Sequence, residues 1–303
     1  MPVLRTMQDK NKNIKFPNTI MVSVDDYGAA GDGMTDDHIA IQQALDDVFY
    51  AGGGTVYFTP GKIYLTTAAF FVRDYTNIYA YGAIIKAKGT TELLVNQGRG
   101  EEPTGYSGHS HIVVEGGTWD CDAADGSTGT NYGQNGISFT HCEDIVIKQV
   151  TVLNTAVYHA IEYNACRRSK ILNCTLMGFK RGNADKEAIQ LDVALKNSGN
   201  KAWDGTVCHD IEISGCICKA SERLPAHPIF VGSHTTYENN YYTGIIVKDN
   251  VVDSGCGISC YYWENCIISG NIITGKGVGI ETKYSNNIII TDNIFGGSIH
   301  YRL

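Results

Sequence analysis

Two carboxylates and an amide crowd one short stretch, Glu187-Ala-Ile-Gln-Leu-Asp192. Ile189 and Leu191 alternate with Gln190 and Asp192, the period-two pattern of a strand with one apolar and one polar face. Paired carboxyl groups on a rigid sheet can cleave a glycosidic bond. One protonates the leaving oxygen while the other activates water or attacks the sugar carbon. A neighbouring imidazole could instead abstract a proton alpha to a carboxylate.

Aligning the apolar positions of this stretch with similar ones gathers further groups. Anchors at Ile137, Ile161, Ile189, Ile229, Ile258 and Ile280 are each followed by an outward residue: Ser138, Glu162, Gln190, Phe230, Ser259 and Glu281. Three residues after the anchors stand Thr140, Asn164, Asp192, Gly232, Tyr261 and Lys283; two residues before them stand Asn135, His159, Glu187, His227, Cys256 and Val278. The alignment therefore stacks His159, Glu187 and His227 on consecutive levels, beside Glu162, Gln190 and Asp192. Glu187, Asp192, Glu162, His227 and His159 are the candidate catalytic groups. With ideal strand spacing Glu162 and Asp192 lie about 8 Å apart, a separation that fits inversion, whereas Glu187 and Asp192 on a straight strand lie about 16 Å apart. Burying two histidines and a glutamate in an apolar core would cost several kcal/mol unless all were paired, so that column is expected to line a turn at the sheet edge.

The elements that position these groups form a repeat. From residue 75 onward four apolar positions recur at offsets 0, +2, +5 and +7, beginning at Ile78, Ile112, Ile145, Ser169, Ile211, Ile245, Cys266 and Ile288. Short strands returning about every 21 residues, with longer excursions on some turns, predict an all-β fold: a parallel β-helix whose coils stack and bury their apolar sides. A right-handed wind follows from the crossover rule. The longest excursion, 42 residues between the Ser169 and Ile211 rungs, carries Glu187 to Asp192. The following one, 34 residues, carries His227, Gly232-Ser233-His234, Tyr237, Tyr241 and Tyr242. Long loops at one level build the walls of a groove, so Gln190, His234, Tyr237, Tyr261 and Arg223 are the candidate binding residues. Arg223 and Lys186 are the basic groups placed to hold an acidic sugar.

Composition narrows the classes. The 303 residues carry a net charge of −8, which argues against a nucleic-acid partner. No apolar run approaches a membrane span, and the polar start has no signal-peptide pattern, so synthesis in a cytoplasm with action outside it is expected. Ten cysteines lack any Cys-x-x-Cys pair and fall mostly on ladder positions, predicting buried, reduced thiols rather than disulfides or a metal site. Asn250, Asn271 and Asn293 predict a matching asparagine ladder.

Residues 1–20 are polar and lysine-rich and read as an extended arm; residues 21–303 read as a single β-helix domain. After the strand Val22 to Val24 comes Asp25-Asp26-Tyr27-Gly28-Ala29-Ala30-Gly31-Asp32-Gly33-Met34-Thr35-Asp36-Asp37, then a helix expected over about 36–50. Thr35 or Asp36 could cap it, with Ile41, Ala44, Leu45 and Val48 as its apolar stripe. Capping and turn formation account for the acids without a metal, and no cofactor is called for. Gly52-Gly53-Gly54, a strand from Thr55 to Phe58 and Pro60-Gly61 complete the block.

This opening resembles that of the pectate-lyase superfamily β-helices found in phage tailspikes and related polysaccharide enzymes, where the short helix caps the solenoid. The likeness covers roughly residues 22–295. Glu-Ala-Ile-Gln-Leu-Asp followed by Gly-Ser-His also resembles the functional region of β-helix proteins from Gram-positive phages and their hosts, which act on cell-surface polysaccharides or teichoic acids. The segment Gln8 to Pro17 resembles lead-in segments of phage tail proteins. The resemblance implies a glycoside hydrolase of a virion tail, made in the host cytoplasm, acting on a bacterial surface polysaccharide. It also implies a homotrimer whose arm meets a tail or baseplate protein. A polysaccharide lyase on a uronic-acid polymer, a teichoic acid hydrolase and a non-catalytic receptor-binding spike are the alternatives. The Asn-x-Asp and Asp-Asp carboxylate set of polygalacturonases is missing at the corresponding rungs. The clustered aspartates and arginine of calcium-dependent pectate lyases are missing too.

Overall fold

The computed structural model describes residues 20–90, 92–98, 100–123, 135–182, 184–194 and 204–302. The expected N-terminal arm, apart from Ile20, lies outside them. Within them the chain winds as a right-handed parallel β-helix, with strands collected into a 19-stranded and a 10-stranded sheet.

Stacking of like residues builds the core. In the smaller sheet Ile85, Trp119, Val152, Leu176, Cys218, Val252, Ile273 and Phe295 are register partners in turn. In the larger one Val114, Ile147, Ile171, Ile213, Val247, Ile268 and Ile290 form the matching ladder. All but Phe295 and Ile290 are buried. Each such aliphatic side chain contributes about 1.5–3 kcal/mol relative to exposure. Between the two ladders the chain must turn sharply on every coil. Gln149, Asn173, Gly215, Asp249, Gly270 and Asp292 stand at equivalent turn positions, and all have positive φ. Glycine, asparagine and aspartate visit that region most readily, and they fill five of these six positions, Gln149 being the sixth.

The side-chain ladders expected from sequence are present. All ten cysteines are free thiols, and nine are buried. Cys142 and Cys166 are register partners with sulfurs 3.2 Å apart. Asn250 Nδ2 donates to Asn271 Oδ1 at 2.8 Å, and Asn271 Nδ2 repeats the bond to Asn293 at 2.8 Å.

The helix runs His38–Tyr50 and buries Ile41, Ala44, Leu45 and Val48. Its cap differs from both expected residues. Asp37 occupies the N-cap position without a capping bond of its own. Its carboxylate accepts from the backbone N–H groups of Ala30 (2.6 Å) and Gly31 (3.2 Å) instead. Asp25 meets Lys62, Thr59 and Tyr64, and Asp36 meets Thr67, so these acids tie the opening loop together.

Two register expectations are corrected, each by two residues. Ile78 pairs with Val114, not with Ile112. Ile189 pairs with Val231, not with Ile229, so Gly232 rather than Phe230 stands beside Gln190. Phe230 is buried in the core cluster. Pro228 precedes the second strand and has no N–H to donate, but its carbonyl accepts from Cys256 (2.7 Å). Ile229 instead sits opposite Glu187, which leaves Val231 as the anchor of this coil.

Candidate functional site

Four consecutive strands, Glu92–Val95, Asn135–Glu143, Ile161–Leu172 and Glu187–Asp192, carry the site. Asn135 pairs with Glu92, Ile137 with Ile161, and Ile161 with Ile189. Two polar columns result. One holds Glu92, Asn135, His159 and Glu187; the other holds Ser138, Glu162 and Gln190, with Asn164 and Asp192 paired two residues further along. Glu162 and Asp192 are thus one rung and two residues apart, as expected.

In the first cluster one amide serves two acids. Asn135 Nδ2 donates to Glu162 Oε2 at 2.7 Å and lies 3.3 Å from Glu92 Oε1. Glu162 also accepts from Ser138 Oγ (3.0 Å) and from Asn164 Nδ2 (2.7 Å). Burial and the nearby Glu162 charge push Glu92 up to about 7, against the Asn135 bond.

The second cluster is built round His234. Its Nδ1 stands 3.3 Å from Glu187 Oε1 and its Nε2 3.5 Å from Asp192 Oδ2. Two acids that a straight strand would hold far apart thus converge on one ring. Burial raises Glu187, but the His234 hydrogen bond and the charges of His159 and His234 outweigh it, bringing Glu187 down to about 2. The two carboxylates raise His234 above its ordinary value despite burial. Asp192 is raised by burial, which His234, the Tyr242 hydroxyl and the Val193 N–H only partly offset.

His159 joins the clusters. Its backbone N–H donates to Asn135 Oδ1 (2.9 Å), its Nδ1 stands 2.8 Å from the Glu187 carbonyl, and its ring stacks 6.2 Å from that of His234. Burial lowers its pKa despite Glu162 and Glu187.

The outward-facing groups are more enclosed than alternation implies. Glu162, Gln190, Asp192, His159 and Glu187 are all buried. Glu92, Ser138 and Lys186 are half-buried, and Tyr158 is exposed. With His234, whose side chain is 37% accessible, they make the rim. Lys186 Nζ lies 5.7 Å from the Tyr158 ring centre. Among the described residues Glu187 Oε2 and Gln190 Oε1 are buried without a hydrogen-bond partner, His159 Nδ1 standing 3.7 Å from the former. Buried acceptors are costly to leave unpaired, so these two suit a ligand that brings donors.

The remaining expected residues fall elsewhere. His227 does not stack on Glu187, whose partner is Ile229. It lies against Phe179, ring centres 4.3 Å apart, with Nε2 2.8 Å from Thr155 Oγ1, and burial lowers it to about 3. Arg223 faces Asp122 (3.2 Å) and Asp120 (3.5 Å). Tyr237 packs over Gly205, and Tyr261 joins Tyr262 and Tyr284 in an aromatic cluster. Glu92 was missed by the sequence reading. Carrying the alignment one coil back, with Leu94 as the anchor paired to Ile137, would have found it.

Gly232 leaves space for the second cluster. A Cβ there would meet the Ser259 carbonyl at 2.8 Å and Glu187 Cγ at 3.3 Å. Gly232→Val is expected to cost about 1–3 kcal/mol by overpacking and to displace Glu187. The check is a lowered melting midpoint together with loss of ligand binding.

A family model described as rhamnogalacturonase A/epimerase, pectate lyase-like, matches residues 21–300. Mannuronan C5-epimerase AlgE6 of Azotobacter vinelandii is 39% identical over 89 residues, 27% of this chain and 10% of that protein. Plasmin and fibronectin-binding protein A of Streptococcus pneumoniae is 25% identical over 95% of this chain and 41% of its own length. The chain thus spans less than half the length of these curated relatives. The crystal structure of PfbA, a surface adhesin of S. pneumoniae, has a TM-score of 0.79 at 21% identity, covering 91% of this chain and 71% of that one. A mutant tailspike protein of E. coli bacteriophage HK620, in complex with a hexasaccharide, has a TM-score of 0.60 at 14% identity, over 91% and 57%. These structural likenesses establish the fold.

Proposed function

The chain belongs to the rhamnogalacturonase A/epimerase, pectate lyase-like family, and on that premise we propose that it hydrolyses a glycosidic bond in a bacterial cell-surface polysaccharide. The observation that carries this reading is the pair of orphaned buried acceptors, Glu187 Oε2 and Gln190 Oε1, beside the carboxylates and the His234 ring. A sugar chain supplies hydroxyl donors to such acceptors, and a half-open imidazole between two acids holds a hydroxyl in place. Glu162 is the carboxylate presented to the reacting bond. Tyr158 at the rim offers a sugar ring an apolar face.

The same reading makes the protein a homotrimeric phage tail component acting on the outside of its host. The tailspike likeness supports it. So do Val251, Ile272 and Ile294, exposed register partners along the smaller sheet that make an apolar strip suited to contact with another copy.

A second reading, elimination from a uronic-acid polymer, is favoured by His159. Burial lowers its pKa, suiting a base, and Lys186 stands at the rim to neutralise a sugar carboxylate. The relatives named mannuronan C5-epimerase and alginate lyase agree with that chemistry. Incubation with capsular polysaccharides and teichoic acids separates the cases. Hydrolysis releases reducing ends without new ultraviolet absorbance. Elimination adds the absorbance of an unsaturated sugar. Binding with no new ends at all would mark an adhesin and sink both enzymatic readings.

A further inference from the structure

We infer that Glu92 and Glu162 are the proton donor and the nucleophile of a retaining glycosidase pair, an assignment that rests on the hydrolytic reading above. The geometry points to it. One amide nitrogen, Asn135 Nδ2, lies 3.3 Å from Glu92 Oε1 and 2.7 Å from Glu162 Oε2. The two carboxyl oxygens are therefore within about 6 Å of each other, against about 5–5.5 Å for retaining pairs and about 6.5–9.5 Å for inverting ones. That separation falls short of the gap that seats the attacking water in an inverting pair.

The environments of the two acids differ in the way the roles need. Glu162 accepts from Asn135, Ser138 and Asn164, an acceptor-only setting that holds a carboxylate still. Among the described residues Glu92 has one long side-chain contact, from Asn135, and is half-buried at the rim. Its own burial and the Glu162 charge favour its protonated form. Glu92 can thus meet a leaving oxygen while carrying a proton.

In the first step a Glu162 oxygen attacks the anomeric carbon, the bond to the leaving sugar oxygen breaks, and that oxygen takes the Glu92 proton. In the second step Glu92, now ionised, takes a proton from water. The water oxygen displaces the Glu162 ester at the same carbon, restoring both acids and the starting anomeric configuration.

The test uses whichever surface polysaccharide yields reducing ends, read by proton NMR of the first-formed anomer. Retention is expected, and Glu92→Gln should lower turnover by about 100-fold or more. With an activated aryl glycoside of the released sugar, whose leaving group departs without an acid, sodium azide should restore turnover by Glu92→Gln and give a glycosyl azide of retained configuration, because azide needs no base. A residue holding only structure would show no such rescue. An inverted first product, or no azide adduct from a Glu92→Gln variant that melts normally, overturns the pair while leaving hydrolysis intact. Unsaturated ends from the wild type overturn the pair and hydrolysis together.

Discussion

Glu162→Gln is expected to lower turnover by about 100- to 10,000-fold, the usual cost of losing a carboxyl that acts in the transition state. The fold should survive the change. Glu162 Oε2 accepts two hydrogen bonds and Oε1 one, from Asn164. A glutamine oxygen can replace Oε2, and the Asn164 amide can turn its own oxygen toward the new NH2 group. The expected loss of stability is therefore about 1 kcal/mol, the net worth of a single hydrogen bond. Glu281→Gln is the control. It lies on the same column, reached through Gly232 and Ser259, but its neighbour is Lys283 at 3.8 Å and not the clustered acids. Turnover by Glu281→Gln should stay near wild type. If Glu162→Gln melts several degrees lower yet its folded fraction keeps full turnover, Glu162 is a structural acid and the site's chemistry lies elsewhere.

The second large effect is on acid stability. Glu187 sits at about 2 in the folded chain against an ordinary 4.5, because His234 and His159 outweigh its burial. A depressed carboxylate stabilises the fold above its unfolded value. That stabilisation is lost as pH falls from about 4.5 through about 2. His234 is raised, so its contribution is complete below its ordinary 6.5 and lost as pH rises through its higher folded value. The pair therefore stabilises most between about pH 4.5 and 6.5. Full linkage would give about 3 kcal/mol, and the part-open His234 screens it to about 2. In Glu187→Gln the drop in melting midpoint between pH 5.5 and pH 3 should shrink by several degrees, since each kcal/mol moves the midpoint of a chain of this size by about 2–4 °C. An unchanged drop would mean that the convergence of Glu187 on His234 contributes nothing to the fold. Asp192 differs from Glu187 here. It is fully buried and held by the Tyr242 hydroxyl and the Val193 N–H, so it supports the strand end and the His234 ring.

The solenoid was legible because its period is written in side chains that stack on their own kind. Ile147 on Ile171, Cys142 on Cys166 and Asn250 on Asn271 follow directly from spacing. So did the buried stripe of the capping helix. His159 beside Glu187, and Glu162 one rung from Asp192, could be read the same way. The two register slips could not. A shift of one residue turns every side chain to the other face, but a shift of two leaves apolar residues inside and polar ones outside. Alternation is blind to it, and only packing against neighbouring coils placed Val231, not Ile229, beside Ile189. That choice moved His227 away from Glu187 and brought Gly232 in. Tertiary structure alone also decided the bridging. No spacing in the chain foretells that His234 would draw Glu187 and Asp192 onto one ring, or that Asn135 would tie Glu92 to Glu162. Those contacts depend on side-chain reach across coils, which three-dimensional stacking sets and one-dimensional order does not.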